Sequence, residues 1–225
     1  MSDIRVLSTI GMRTVLEALA PAFERARGCT VTRVYDSTVA MMKRLAAGES
    51  GDAAVFTAGG IDDLIGQGKV VGRTDLTRSF VGIAVKSGAP KPDISTPDKF
   101  TAVMLAAKSV ARSETGASGL YFAGLIDRLG LADAMKSKMI VQDGIVGHIA
   151  ARGEAEIAVQ QISELMQAEG IDIVGPLPDE LQSVTVFSAG VFKASTQRTL
   201  AEAFVADLAS PAHGGLIRAK GMEPV

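Results

Sequence analysis

Short apolar runs alternate along this chain with longer stretches in which apolar residues return every three or four positions. Ile4–Thr9 reads as a buried strand, punctuated by Gly11. Met12–Arg27 carries Val15, Leu16, Leu19, Ala20 and Phe23 on one helical face, and Gly28 stops it. Val31–Tyr35 is a second strand. Asp36 or Ser37 then caps a helix bearing Val39, Met42, Leu45 and Ala46. Asp52–Thr57 is a third strand, with a short helix from Gly59-Gly60 through Ile65. Alternation of this kind predicts parallel sheet covered by helices.

The pattern repeats downstream. Strands are predicted at Phe80–Lys86, Ser109–Arg112, Met139–Gln142, Glu156–Gln160 and Ile171–Val174. Helices are predicted from Thr96-Pro97, from Ser118 to near Gly130, and over Leu131–Lys138, Ile145–Ala151 and Gln161–Gln167. Val184–Phe192 is a long strand, Thr196–Leu208 an amphipathic helix, and Pro211 restarts a last helix ending at Gly221. The long strands near 80 and 185 bracket the middle and are placed to cross between lobes. The expected architecture is α/β with two lobes, each a mostly parallel sheet flanked by helices. Residues 1–81 and 188–225 form lobe one, and residues 82–187 form lobe two.

Composition narrows the function. With 47% hydrophobic and 21% charged residues in 225, disorder is excluded. A formal charge of −2 gives no long-range attraction to nucleic acid or an anionic membrane, though local anion sites remain allowed. A single cysteine, Cys29, rules out an internal disulfide and a cysteine-rich metal site. His148 and His213 lack metal-ligand spacing, so neither metal nor cofactor is expected. No apolar stretch reaches membrane-spanning length, so no membrane insertion is expected. The opening Met1-Ser2-Asp3-Ile4-Arg5 has no signal-peptide character. The expectation is a cytoplasmic protein as written, and a periplasmic one where a leader has been removed.

The chemistry gathers where strands end and helices begin. The clusters are Ser8-Thr9-Ile10-Gly11, Asp36-Ser37-Thr38, Thr57-Ala58-Gly59-Gly60 and Ser113-Glu114-Thr115-Gly116-Ala117-Ser118-Gly119. In parallel sheets ligands collect at this edge. Helix N-termini carry unpaired N–H groups that favour negative charge. Thr9, Gly11, Ser37, Thr38, Thr57 and Ser118 are therefore candidate contacts to a small oxyanion or carboxylate. Each also has an ordinary reading as a cap or turn residue. Arg112 is placed to pair with a carboxylate, and Gln160 to touch a ligand or cap the next helix. Glu114, His148, Tyr121 and Asp143 are the acid–base candidates; the dipole, the core, an aromatic core edge and a turn are their respective alternatives. Walker, dinucleotide and nucleophile-elbow motifs are absent.

Several runs together resemble the type II periplasmic solute-binding proteins, in particular the molybdate-binding branch of ABC transport. They are Val6-Leu7-Ser8-Thr9, Val15–Glu24, Asp36–Glu49, Asp52–Ala58, Arg152–Glu164 and Gly175–Gln182. The resemblance covers nearly the whole chain. It implies two α/β lobes joined by crossing strands, with an anion held between them by hydroxyls and backbone N–H groups. Carried over by motif, Thr9, Ser37 or Thr38, Thr57, Ser118 and Gln160 are the contacts. The chain departs from the branch at Ile10-Gly11-Met12, where a serine-rich loop is usual, and at Thr57-Ala58-Gly59-Gly60, where a Ser-Ala-Asp-like ending is usual.

The resemblance thus implies a solute-binding protein for a small anion, with an ABC permease as partner if exported. The same fold serves enzymes, and aconitate isomerase resembles the molybdate-binding branch. An isomerase of that kind would move an allylic proton in a small polycarboxylate such as aconitate, with Glu114, Tyr121 or His148 as base. A ligand sensor that signals through lobe closure is a third class.

Overall fold

The computed structural model describes residues 2–225. Contacts divide the chain into two compact units: Met1–Ser79 with Thr185–Val225, and Phe80–Val184.

The first unit contains β1 (Ser2–Thr9), α1 (Arg13–Arg27), β2 (Cys29–Asp36), α2 (Thr38–Ala46), β3 (Ala53–Thr57) and α3 (Ala58–Gly66). To these it adds the first stretch of β4 (Val70–Lys86) and, from the end of the chain, β9 (Val184–Phe192), α9 (Arg198–Leu208), α10 (Gly214–Ala219) and β10 (Met222–Pro224). Its sheet runs β2-β1-β3-β9-β4, with β10 also on β4. The trio β2-β1-β3 is parallel, and β9 lies antiparallel to β3.

Strands in the middle of this sheet are covered on both faces, which is why they read as nearly unbroken apolar runs. Ile4 and Val6 of β1, Ala53 and Val55 of β3, and Phe187, Ala189 and Val191 of β9 enter one core. Leu7, Ala54, Phe56 and Phe192 enter the core on the other face. Helix α1 lays Val15, Leu16, Leu19, Ala20 and Phe23 on the first core and ends at Gly28, whose φ of 61° is left-handed. The Phe23 ring meets that of Phe204 on α9 edge to face at 5.0 Å. Leu16 has no exposed surface, and burying a side chain of that size contributes about 1.5–3 kcal/mol.

The second unit holds the rest of β4 with α4 (Pro97–Ala106), β5 (Val110–Ser113), α5 (Ala117–Arg128), α6 (Ala132–Met135) and β6 (Met139–Gln142). It continues through α7 (Gly147–Ala151), β7 (Ile157–Gln161), α8 (Ile162–Leu165) and β8 (Ile171–Pro176). Its order is β6-β5-β7-β4, with β8 also on β4. Again a parallel trio, β6-β5-β7, is followed by an antiparallel strand. Val81, Ile83, Ile157 and Val159 face one core; Ala84, Ala111 and Ala158 face the other.

Of the differences from the sequence expectation, three stand out. Strand β4 begins at Val70, ten residues before the apolar run that announced it. After Val70 and Val71 its early part is rich in charged and hydroxyl residues, and Arg73, Asp75 and Arg78 conceal it. The helix expected over Leu131–Lys138 forms only at Ala132–Met135. Strand β10, three residues long, was not anticipated; it pairs Met222 with Ser79. Among the described residues no helix is long and apolar enough to cross a membrane.

Gly190 of β9 shows how closely the first unit is packed. A Cβ there would meet the Gly72 carbonyl oxygen at 2.8 Å and collide with Val70 Cγ1. A backbone carbonyl does not rotate away as a side chain does. Gly190→Ala should therefore cost about 1–3 kcal/mol, as overpacked cores do. The check is a lower urea midpoint for the substituted protein; an unchanged midpoint would refute this packing.

Candidate functional site

The carboxyl ends of the three parallel strands in the first unit stop in line. Thr9 pairs with Asp36, and Ser8 pairs with Val55 two residues before Thr57. With strands about 4.8 Å apart, Thr9, Ser37 and Thr57 form a short row along one edge. A helical turn follows each: Ile10–Met12 leading into α1, then α2, then α3.

The hydroxyls in this row have partners that explain their place. Ser37 Oγ accepts from the Ala40 N–H at 3.1 Å, and Thr57 Oγ1 from the Gly60 N–H at 3.3 Å. Thr38 Oγ1 accepts the Thr57 N–H at 3.4 Å, joining the start of α2 to the end of β3. Thr9 is buried, and its side chain makes no capping bond to the turn it precedes. Capping and ligand contact are compatible here. A hydroxyl that accepts from the backbone keeps its own proton to donate. Gly11 has a packing requirement of its own, because a Cβ would sit 2.6 Å from Cζ of Phe187.

Two arginines of this unit are engaged locally. Arg73 binds Asp62 at 2.7 Å and Asp75 at 2.9 Å. Arg13 lies over the Tyr35 ring, 5.0 Å from its centre. Tyr35 donates its phenol to Glu17 at 2.6 Å; burial, then that carboxylate, holds the phenol well above its ordinary range.

The second unit repeats the edge with different chemistry. Ser113 pairs with Gln142 on one side, and Arg112 pairs with Val159 on the other, so Ser113 comes level with Gln160. The turn from β5 into α5 is tight. A Cβ on Gly116 would stand 2.5 Å from Ser113 Oγ, and one on Gly119 would overlap the Ser113 carbonyl. Ser113 and Ser118 are buried, and their hydroxyl oxygens have no hydrogen-bond partner among the described residues. Arg112 is half-buried; its Nη1 donates to the Ser113 carbonyl at 3.0 Å and the Gly119 carbonyl at 3.5 Å. It makes no ion pair among the described residues. The guanidinium charge is thus held in place at the strand end without a carboxylate to neutralise it.

The remaining candidates separate. Gln160 is buried and fully engaged: its Oε1 accepts from the Val146 N–H at 2.9 Å and its Nε2 donates to the Gly144 carbonyl at 2.8 Å. Tyr121 donates to the Leu181 carbonyl at 2.9 Å and accepts from Arg128 at 3.2 Å. Glu114 and His148 are exposed. One carboxyl group in this unit escaped notice in the sequence. Glu164, on α8, is buried, and burial raises its pKa to about 7 against the opposing bonds from the Gln160 side chain and the Gln161 backbone. A carboxylate three residues after the Gln160-Gln161 pair that closes an apolar strand was the available signal.

A profile of the bacterial extracellular solute-binding proteins matches residues 4–223. An aconitate isomerase from a Pseudomonas species is 36% identical over all of this chain and 89% of that protein. Among solved structures, the periplasmic molybdate-binding protein of Azotobacter vinelandii superposes with a TM-score of 0.81 at 18% identity, covering 97% of this chain and 98% of that one. The sulfate-binding protein of Mycobacterium tuberculosis gives 0.80 at 17% identity, covering 100% and 88%. At these identities the solved structures establish a periplasmic-binding-protein-like α/β fold. The match over almost every residue, together with the full-length curated relative, places the chain in the bacterial extracellular solute-binding protein family.

Proposed function

We propose that this chain binds a small anion through donors at its strand ends. The observation that carries this reading is Arg112. Its guanidinium is oriented by two backbone carbonyls, lacks an ion-pair partner among the described residues, and stands where β5 gives way to α5. A planar fork of donors beside a helix N-terminus suits a carboxylate or an oxyanion. The hydroxyl row Thr9, Ser37 and Thr57 offers further donors on the first unit. Family membership supports the same reading, with an ABC permease as partner where the protein is exported.

A second reading is favoured by the full-length resemblance to an aconitate isomerase. In it the bound anion is a polycarboxylate with a CH₂ next to a carbon–carbon double bond. A base takes one proton from that CH₂, and the electron pair spreads over the double bond and the adjoining carboxylate. The same proton, or one exchanged with water, returns to the former vinylic carbon. The double bond moves by one position, and nothing is oxidised or reduced. N–H and hydroxyl donors stabilise the dienolate between the two proton transfers.

Two measurements follow. Thermal shift against molybdate, tungstate, sulfate, citrate and aconitate should show stabilisation by at least one, and Arg112→Ala should weaken the best of these about 10- to 100-fold. That range corresponds to losing a charged hydrogen bond of about 1.5–3 kcal/mol. Equal affinity in a variant that melts like the wild type would remove Arg112 from the site. For the isomerase, aconitate incubated with the protein in D₂O should take up deuterium at its allylic carbon while cis and trans forms interconvert, followed by NMR. Binding with neither exchange nor interconversion would leave a binder only.

A further inference from the structure

The mechanism outlined above leaves Glu164 without a task, yet the second unit invests in it. Glu164 is 7% exposed, and its Oε2 has no hydrogen-bond partner among the described residues. Gln160 and the Gln161 backbone bond to its carboxyl group. Gln160 in turn grips the turn that leads from β6 into α7, accepting from the Val146 N–H and donating to the Gly144 carbonyl. Gly144 has a φ of 82°, a left-handed conformation that few other residues hold. The turn continues outward, since Asp143 Oδ1 accepts from Thr115 Oγ1 at 2.8 Å, and Thr115 lies in the loop that starts α5. A line of polar contacts therefore runs from α8 past the carboxyl ends of β7 and β6 to that of β5.

We propose that Glu164 is a positioning residue: by holding the Gln160 amide it fixes the Gly144–Val146 turn and, through Asp143 and Thr115, the loop that carries the anion-binding donors of the second unit. This deepens the anion-binding reading and rests on it for its effect on affinity, though not for its effect on the turn. An amide has two N–H donors on one nitrogen. One goes to the Gly144 carbonyl, and a carboxyl oxygen at Glu164 takes the other. Without that acceptor, Gln160 carries an unsatisfied buried donor, and its hold on the turn weakens.

Protonation supplies a readout that a merely space-filling residue would not give. Burial favours the neutral carboxyl at Glu164, and the bonds from the Gln160 amide and the Gln161 backbone oppose it. Burial of the carboxyl raises it to about 7, from an ordinary value near 4.3 in the unfolded chain. The sign follows from linkage. The neutral form is favoured in the fold, so its contribution is complete below the unfolded value and is lost as pH rises through the folded one.

The test compares Glu164→Gln, which keeps an acceptor but cannot ionise, with Glu164→Leu, which keeps volume but has neither property. In the Leu variant, hydrogen exchange at the Val146 amide should accelerate at least tenfold, with core amides such as Val159 as internal reference. Affinity for sulfate or aconitate, whichever the wild type binds, should fall about tenfold. The Gln variant should stay within twofold of wild type on both. In the wild type the Val146 N–H and the Gln160 side-chain NH₂ resonances should titrate with a midpoint near 7, and in the Gln variant they should not. The wild type should also lose melting temperature relative to the Gln variant between pH 5 and pH 8. Unchanged Val146 exchange in the Leu variant, or an unaltered titration in the Gln variant, overturns the proposal. Should the Leu variant not fold, the titration decides. Should the wild type bind neither anion, exchange and titration still decide on Glu164, while the anion-binding reading fails separately.

Discussion

Three adjacent parallel strands that stop in line bring the turns that follow them to one edge of the sheet. Everything functional here depends on that constraint. In the first unit the row is Thr9, Ser37 and Thr57; in the second it is Gln142, Ser113 and Gln160. Each such edge gathers backbone N–H groups that the helices cannot satisfy internally. Surrounding them with small residues and hydroxyls leaves an anion room to approach. The apolar cores on both faces of each sheet keep the strands from shifting, because a slip of one residue would send every side chain to the opposite face.

The two edges use the constraint differently. In the first, hydroxyls cap the very helices they precede, and arginine charge is absorbed by Asp62, Asp75 and the Tyr35 ring. In the second, Arg112 keeps its charge, and a buried network organised around Gln160 and Glu164 holds the neighbouring turn. The charged, braced edge suits a carboxylate or an oxyanion, and the hydroxyl row offers neutral donors of its own. The same division of labour is usable for binding alone or for steadying a carboxylate while a proton moves elsewhere in the molecule.

Long amphipathic segments were the most legible part of the sequence. The faces of α1 and α9, the stop at Gly28 and the cap at Thr96 all follow from spacing and local chemistry. The start of β4 was hidden, because Arg73, Asp75 and Arg78 make it look like a surface loop until their partners on α3, β9 and β10 are known. At the site, hydroxyls and glycines before helices marked the edges, since capping is a short-range property. What spacing did not reveal were partners distant in the chain: Phe187 over Gly11, Leu181 accepting from Tyr121, and the turn at Gly144–Val146 closing on Gln160. Glu164 stayed unseen for the same reason. A carboxylate on a four-residue helix reads as solvated until the fold buries it.

The most direct examination of an anion held by strand-end donors is a map of backbone amide shifts in the full chain as sulfate or aconitate is added. The largest changes should fall at residues 9–11, 38–40 and 58–60 in the first unit and at residues 114–119 in the second. Shifts confined instead to a surface away from these edges, such as the apolar groove lined by Val85, Pro90, Val103 and Ile157, would contradict the account.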